Sequence, residues 1–318
     1  MSKFFPPSEL PINSDGSAFH LHLRPEQLAD KVILVGDPGR VSLVAKYFDE
    51  IECEVESREF HTITGTYITT SGEKKRITVQ STGIGCDNID IVMTELDALA
   101  NIDFATRTEK ETFRQLTLIR IGTCGGLQPD TPIGTFVASV KSIGFDGLLN
   151  YYARRDEVCD LELEEAFKQH MNWSPLKGAP YVATADPQLI EKVAGTEMVK
   201  GITIACGGFY GPQGRQIRIP IQDPEQNNKV ESFRYTTSVA TQNAMENEQK
   251  STDKNAPSTE LKICNFEMES SALAGLSALL GHRAMTCCMV IANRYAKEMN
   301  TEYKSSIEEL IRLVLNRI

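Results

Sequence analysis

The sequence contains no run of roughly 18 apolar residues, the length that a membrane-spanning helix needs. It also has no excess of positive charge, since 33 lysines and arginines face 43 aspartates and glutamates, a net charge of −10. This balance argues against nucleic acid or an anionic membrane surface as the main partner. No GxGxxG motif opens a predicted helix, which argues against a dinucleotide-dependent dehydrogenase.

Cysteine pairs of the CxxC type are also missing, although the chain has eight cysteines and several lie in apolar runs. We therefore expect reduced thiols in the core, and neither disulfides nor a zinc site. Residues 1–7 contain no apolar segment of the kind that signal peptides carry, and we expect a cytoplasmic protein.

Residues 116–127 (LTLIRIGTCGGL) combine a buried-strand pattern with a charge and three closely spaced glycines. Arg120 cannot lose its charge, so the fold must bring an anion to it. The glycines after it, from Gly122 to Gly126, let backbone N–H groups approach a ligand. The pattern fits an oxyanion site, and it fits a structural ion pair beside a tight turn equally well.

Two similar glycine turns follow other predicted strands. The run 32–35 ends in GDPGR, which places Arg40 in the first turn of a helix, and the run 76–79 leads to STGIG at 81–85. A strand, a glycine turn and a helix start can present amides to a phosphate, or can be an ordinary connection. Strands and helices alternate in this way along the chain, which predicts one α/β domain with a mixed central sheet flanked by helices.

The remaining segments carry fewer signals. We predict an N-terminal arm at 1–18, a short strand or extended segment at 19–23, and a surface loop or helix extension at 103–115. The domain proper covers 19–318 and includes a polar insertion at about 223–261, which we expect to be a long loop.

Two further segments carry candidate binding groups. Glu267, Met268 and Glu269 stand between a strand and a helix, where carboxylates either cap the helix or grip vicinal hydroxyls. Residues 209–215 (FYGPQGR) offer an aromatic ring, an amide and a guanidinium, a set that can read a flat heterocycle with carbonyls or belong to a surface turn.

Together these motifs resemble the nucleoside phosphorylase family, and within it the uridine phosphorylases most. The resemblance runs from about residue 19 to the C-terminus and rests on seven motifs in family order: GDPGR at 36–40, RxF at 58–60, STGIG at 81–85, RIGTCGG at 120–126, FYGPQGR at 209–215, FEMES at 266–270 and VIANR at 290–294. It implies a pentosyltransferase that reversibly converts uridine and phosphate into uracil and ribose 1-phosphate.

The resemblance also implies residue roles, with Arg120, Glu269 and Arg215 as the catalytic groups. The implied phosphate site consists of Gly36, Arg40, Arg58, Arg120 and Thr123. The implied ribose site consists of His20, Thr82, Met268 and Glu269. The implied uracil site consists of Phe209, Gln213, Arg215 and Arg294. Arg58 and His20 would act across a dimer interface, so the family pattern implies a homo-oligomer, a hexamer built from dimers.

Departures from the family pattern bear on the base and on cofactors. Purine enzymes of the family typically carry an aspartate after the last strand, whereas the corresponding segment here, residues 291–294 (IANR), has no acid, which favours a pyrimidine. The family implies no cofactor and no structural metal, with phosphate as co-substrate. Some members bind a monovalent cation near a glutamate, here Glu59, and a serine, but Cys86, Asp87 and Asn88 replace that serine motif. A purine nucleoside phosphorylase, a nucleosidase that uses water, and a non-catalytic nucleoside-binding protein remain the alternatives.

Overall fold

Twelve strands form one mixed sheet, and helices pack on both of its faces in the computed structural model, which describes residues 3–238 and 258–318. Including β5 and β6, which form a separate two-stranded sheet, the strands are β1 (Lys31–Val35), β2 (Glu50–Ser57), β3 (Phe60–Ile68), β4 (Lys74–Ser81), β5 (Ile102–Asp103), β6 (Thr108–Glu109), β7 (Thr117–Gly126), β8 (Phe136–Gly144), β9 (Tyr181–Thr184), β10 (Met198–Ala205), β11 (Arg234–Ser238), β12 (Ser258–Glu267), β13 (Arg283–Asn293) and β14 (Glu298–Met299). The helices are α1 (Pro38–Ala45), α2 (Cys86–Asn101), α3 (Leu161–Met171), α4 (Pro187–Leu189), α5 (Gln226–Ser232), α6 (Ser270–Leu280) and α7 (Ile307–Arg317).

The sheet runs in the order β11-β12-β10-β8-β13-β7-β1-β4-β3-β2, with β9 paired to β8 and β14 to β13. β4, β1, β7 and β13 are mutually parallel neighbours, so their carboxyl ends meet at one edge. β12 also pairs with β7, where Asn265 and Phe266 lie opposite Gly126 and Gly125. This extra pairing closes β12, β10, β8, β13 and β7 into a ring. The tight turn predicted at residues 122–126 is wrong, because Gly122, Gly125 and Gly126 lie within β7 and pair with β13.

Two apolar clusters explain why the strands form in these places. On one face, α1 and α7 cover the sheet through residues such as Val41, Val44 and Leu310. On the other face, α2 and α6 pack together through Ile89, Val92 and their neighbours. Because the central strands are covered on both sides, they read as continuous apolar runs. The predicted α/β domain with a mixed sheet flanked by helices is confirmed.

Three predicted segments differ from the structure. Residues 19–23 form a turn and no strand, because His22 has a left-handed backbone (φ 52°) that interrupts the alternation. Residues 103–115 contain the short hairpin β5–β6 in place of a loop or helix extension. The segment 3–18, predicted to be an arm, packs against that hairpin, where the Phe5 N–H donates to the Arg107 carbonyl at 2.9 Å.

The polar insertion predicted at about 223–261 is structured at both ends. α5 and β11 occupy its beginning, and β11 pairs antiparallel with β12 from Arg234↔Lys262 onwards. The predicted long loop is therefore wrong for these parts, while residues 239–257 lie outside the described residues. Polar composition misled the prediction because an edge strand and a short surface helix bury little apolar surface.

Among the described residues, none of the helices has both the length and the apolar character that crossing a membrane requires. All eight cysteines are free thiols, and six of them are buried.

Candidate active site

A cavity of about 730 Å³ opens where the carboxyl ends of the central strands meet. It lies beyond the ends of β1, β7, β12 and β13, the edge at which α/β folds commonly bind ligands. Nine of the predicted site residues line it: Gly36, Arg40, Arg120, Thr123, Phe209, Gln213, Arg215, Met268 and Glu269. Segments far apart in sequence thus meet around one space, as the motif order implied.

Arg40 supplies a buried positive charge at one end of the cavity. It lies in the first turn of α1, is only 7% exposed, and donates from Nη1 to the carbonyl oxygen of Ile121 at 3.2 Å. Burial lowers the pKa of Arg40, and the nearby charge of Arg120 lowers it further. No carboxylate among the described residues lies within ion-pairing distance of Arg40. A buried guanidinium of this kind calls for an anion from outside the chain.

Arg120 is held between two buried carboxylates. Its Nη1 lies 3.2 Å from Glu267 Oε2, and its Nη2 is in close contact with Glu269 Oε2. Burial acts to lower the pKa of Arg120, but Glu269 and Glu267 together raise it above its ordinary value. The structural ion pair, one of the two interpretations made from the sequence, is present, and Arg120 also lines the cavity. The oxyanion site stays a prediction.

The glycine after Arg120 has a steric reason. A Cβ on Gly122 would stand 2.3 Å from Arg120 Nη1 and 2.8 Å from Cys288 Sγ. The Arg120 guanidinium therefore packs directly against the backbone of Gly122, and a side chain at position 122 would displace it.

Glu267 and Glu269 serve different purposes although they flank the same methionine. Glu267 accepts from the backbone N–H of Glu269 at 2.8 Å and from the Ser270 hydroxyl at 2.6 Å, so it caps the start of α6. Glu269 accepts from the N–H of Gly85 at 2.7 Å, and Gly85 has a left-handed φ of 96° at the start of α2. Burial raises the pKa of Glu269, against the pull of Arg120, and Glu267 raises it further.

Another part of the cavity wall is formed by the loop after β10. Gln213 is buried there, and its side-chain oxygen accepts from Arg215 Nη1. The Arg215 guanidinium stacks on Phe209, with its central carbon 3.7 Å from the ring centroid. Burial, with Arg294 nearby, lowers the pKa of Arg215 to about 10. One face of Phe209 is thus covered by Arg215, whereas the sequence suggested a ring free to stack on a ligand.

Four predicted residues do not line the cavity. Thr82 is fully buried and donates to the carbonyl of Gly83 at 2.9 Å. Arg294 lies behind the loop and donates to the Gly214 carbonyl at 3.3 Å. Arg58 is exposed in the β2–β3 turn with a φ of 56°, and His20 contacts Glu95 on α2 through Nδ1 at 2.6 Å. The roles predicted for these four residues remain predictions.

Several cavity residues were missed by sequence reasoning. Tyr303 lines the cavity beside Arg40, but it precedes α7 in a segment without any periodic or motif signal. Asn88, Cys124 and Met299 also face the space. Glu267 was singled out with a capping role as one option, but its contact with Arg120 depends on strand pairing that sequence does not display.

Asn293, the residue at the position where an acid would favour a purine, is tied to the protein itself. It is buried, its Nδ2 donates to the carbonyls of Gln128 at 3.2 Å and Thr131 at 2.8 Å, and its Oδ1 accepts from the N–H of Ala296. These contacts tie the end of β13 to the segment after β7 and to the turn that follows β13, and they use both amide hydrogens of Asn293.

The cavity wall combines groups that suit an anion with groups that suit a polar heterocycle. Two arginines, a buried carboxylate and an amide–guanidinium pair all line it. Preorganised charges of this kind stabilise charge that develops during bond cleavage, and no nucleophilic side chain is needed.

Known proteins are similar to this chain in sequence and in fold. A uridine phosphorylase from Thermococcus kodakarensis is 28% identical over 94% of this chain and 85% of its own length. A DeoD-type purine nucleoside phosphorylase from Bacillus velezensis is 24% identical over 94% of this chain and 98% of its own. The crystal structure of a Trypanosoma brucei nucleoside phosphorylase, described as showing uridine phosphorylase activity, superimposes with a TM-score of 0.81 at 27% identity, covering 97% of this chain and 98% of that one.

The model of the phosphorylase superfamily matches residues 30–317, which is nearly the whole chain and includes all of the cavity. The alternation of strands, glycine turns and helices, the ring of strands at the cavity and the family match all agree. This chain belongs to the phosphorylase superfamily.

Proposed function

We propose that this protein is a uridine phosphorylase, which reversibly converts uridine and phosphate into uracil and ribose 1-phosphate, a step of pyrimidine salvage. The observation that carries the proposal is Arg40, a buried cation without a carboxylate partner among the described residues, in the same cavity as Gln213 and Arg215. A buried arginine such as Arg40 is stabilised by a bound anion, and Gln213 with Arg215 can hydrogen-bond a base that has carbonyls. The named relatives support the proposal.

Phosphate is proposed to bind at the arginine end. Arg40 and Arg120 supply charge, Thr123 supplies a hydroxyl, and Gly36 lines the same cavity without a side chain. A guanidinium pairs well with phosphate oxygens because its donors form a rigid fork.

The sugar and the base are proposed to occupy the rest of the cavity. Glu269 would accept from a ribose hydroxyl while Met268 packs beside the ring. Gln213 and Arg215 would hydrogen-bond the uracil carbonyls, with Phe209 beside the base and Arg294 holding the loop. Thr82 is assigned to the ribose region only through its backbone neighbours, because its hydroxyl is already bonded to Gly83.

The proposed mechanism is electrostatic. As the bond between C1′ and the base nitrogen lengthens, positive charge grows on the sugar and negative charge on uracil. Bound phosphate stabilises the sugar and then forms the new C1′–O bond, while Arg215 and Gln213 stabilise the departing uracil anion until solvent protonates it. The reaction balances without any cofactor, and we propose none.

The first test is uracil release from uridine, followed by ultraviolet absorbance with and without phosphate, with inosine in parallel. Phosphate-dependent cleavage of uridine and not of inosine is expected. Cleavage without phosphate would indicate a nucleosidase, cleavage of inosine alone would indicate a purine enzyme, and no cleavage of either would leave a binding protein.

Asn293→Asp is expected to weaken the fold by about 2–4 kcal/mol without adding inosine cleavage, because two backbone carbonyls would lose their donors and face a carboxylate. Urea unfolding and an inosine assay measure both effects. Asn172→Asp, at the exposed end of α3, is the matched control and should change stability far less. Efficient inosine cleavage by Asn293→Asp would show that this position does select the base.

A homo-oligomer in which neighbours complete each other's sites, a hexamer built from dimers, is part of the proposal. Arg58 and His20 do not line the cavity of their own chain, which is what residues serving a neighbour would show. Glycine suits the left-handed backbone at Arg58, so Arg58→Gly removes the side chain without strain.

Two inactive variants, Arg58→Gly and Arg40→Ala, are expected to restore activity when co-expressed. About a quarter of wild-type activity should return, because half of randomly formed two-fold dimers are mixed and one of their two sites is intact. Arg40→Ala co-expressed with Arg215→Ala is the control. Both residues line one cavity of the same chain, so neither site of a mixed dimer is intact and no activity should return. No recovery in the first mixture would place Arg58 outside the neighbour's site.

A further inference from the structure

Three potential metal ligands lie together on the β2–β3 hairpin, away from the cavity. Glu54 and Glu56 point to the same face of β2, and His61 on β3 is paired directly with Glu56. One ligand atom from each of the three side chains lies within 4.8 Å of the other two. Both glutamates are exposed, while the histidine is buried.

The distances suit a small divalent ion. His61 Nε2 lies 2.8 Å from Glu54 Oε1 and 3.6 Å from Glu56 Oε1. Nitrogen and oxygen ligands stand about 2.0–2.2 Å from a tetrahedral zinc, so neighbouring ligand atoms are roughly 3.3 Å apart. The two separations from Nε2 lie on either side of that value, and all three ligand atoms lie within 4.8 Å of one another.

The second ring nitrogen of His61 also has a partner. The side chain is 9% exposed, and its Nδ1 lies 3.4 Å from the carbonyl oxygen of Pro38. In the tautomer that carries its proton on Nδ1, that proton faces this carbonyl and Nε2 presents a lone pair to the glutamate oxygens. Two acceptors at 2.8 Å repel each other unless a metal ion or a second ring proton lies between them. Metal-binding histidines commonly make such a backbone contact with their other nitrogen.

Charge also favours a cation. Among the described residues, His61 is the one basic side chain within ion-pairing distance of Glu54 or Glu56. Two neighbouring carboxylates repel each other, and a divalent ion neutralises both. We propose that Glu54, Glu56 and His61 bind a divalent transition-metal ion, with zinc as the ion that this set of one nitrogen and two oxygens fits.

The position of the site suggests what the ion does. Pro38 is the first residue of α1, the helix that carries Arg40. An ion that fixes His61 also fixes the contact between His61 and the start of this helix. The role proposed for the ion is therefore structural, with a lower KM for phosphate as its functional consequence.

Zinc titration of the full-length, chelator-treated protein by calorimetry tests the site without relying on activity. One zinc per chain is expected to bind the wild type, and the thermal midpoint should rise with zinc. His61→Gln and Glu54→Gln should each weaken binding by at least about 100-fold, since an outer contact alone is commonly worth 10- to 100-fold. The matched controls are His22→Gln and Glu52→Gln. His22 is an exposed histidine, and Glu52 lies on β2 like Glu54 but forms an ion pair with Arg76.

Equal zinc binding by wild type and His61→Gln would overturn the proposal, and so would the absence of binding by wild type at about 1 mM zinc. His61 would then serve only as a contact of the two glutamates. The test is separate from the proposed reaction, since zinc binding by an inactive protein would still support the site. Uridine cleavage without zinc binding would remove the site and leave the proposed function intact.

Discussion

Arg120→Ala is expected to lower kcat/KM for uridine phosphorolysis by at least about 1000-fold, the size of effect seen when a preorganised charge is lost from a closed site. The variant removes a cation that lines the cavity and leaves Glu267 and Glu269 buried without their partner. Phosphate would then meet two carboxylates in place of a guanidinium. Initial rates at limiting phosphate measure the effect.

The same change is expected to reduce the free energy of unfolding by about 3–5 kcal/mol, because one partner of a buried ion pair is removed. Arg120→Lys separates stability from catalysis, since it keeps the charge and loses the planar fork. Arg283→Ala is the matched control: it breaks an ion pair with Asp186, at 2.9 Å and outside the cavity, and should leave the rate nearly unchanged. Near-normal turnover by Arg120→Ala at limiting phosphate would show that Arg120 serves the fold alone.

Arg215→Ala is expected to lower kcat by about 100- to 1000-fold, because the variant removes the donor proposed to stabilise the negative charge on departing uracil. The guanidinium is half-buried, and burial together with Arg294 brings its pKa down to about 10. A partly desolvated cation interacts more strongly with developing charge than one in water. Single-turnover rates with uridine measure the chemical step.

A nucleoside with a better leaving group separates this role from simple disruption of the loop. The fluorine of 5-fluorouridine withdraws electrons, so its base needs less stabilisation and Arg215→Ala should slow it less than it slows uridine. Arg218→Ala, three residues along the same loop and exposed, is the control and should keep near wild-type rates. An equal loss for both nucleosides would mean that Arg215 shapes the loop and does not assist departure of the base.

Much of the fold followed from local pattern. The central strands are buried on both faces, so their apolar runs were visible, and glycine turns marked the ends of β1 and β4, although the glycines after Arg120 continue β7. Local sequence signals also coincide with helix ends in the structure, since Asp186 caps the helix that begins at Pro187 and Gly281 ends α6 with a left-handed backbone. The errors fell on segments that bury little surface, such as the β5–β6 hairpin and the edge strand β11, where neither periodicity nor propensity is strong.

The residue types of the candidate site were also visible in the sequence, but their contacts were not. That Arg120 is charged, buried and followed by glycines could be read directly, as could two glutamates at the start of a helix. The sequence alone left open whether Arg120 meets phosphate or a carboxylate. Strand order supplied the carboxylates, because the pairing of β12 with β7 brings Glu267 and Glu269 to Arg120, more than a hundred positions earlier. Phosphate binding by Arg120 stays a prediction.

By itself, then, the sequence determined the class of fold, the glycine turns and the charged groups that a ligand would meet, since each depends on residues close together in the chain. Only the tertiary structure decided that Arg40 lacks a carboxylate partner among the described residues and that Tyr303 lines the cavity. These contacts come from packing between distant segments, and their free energies depend on burial and distance, which no local pattern contains.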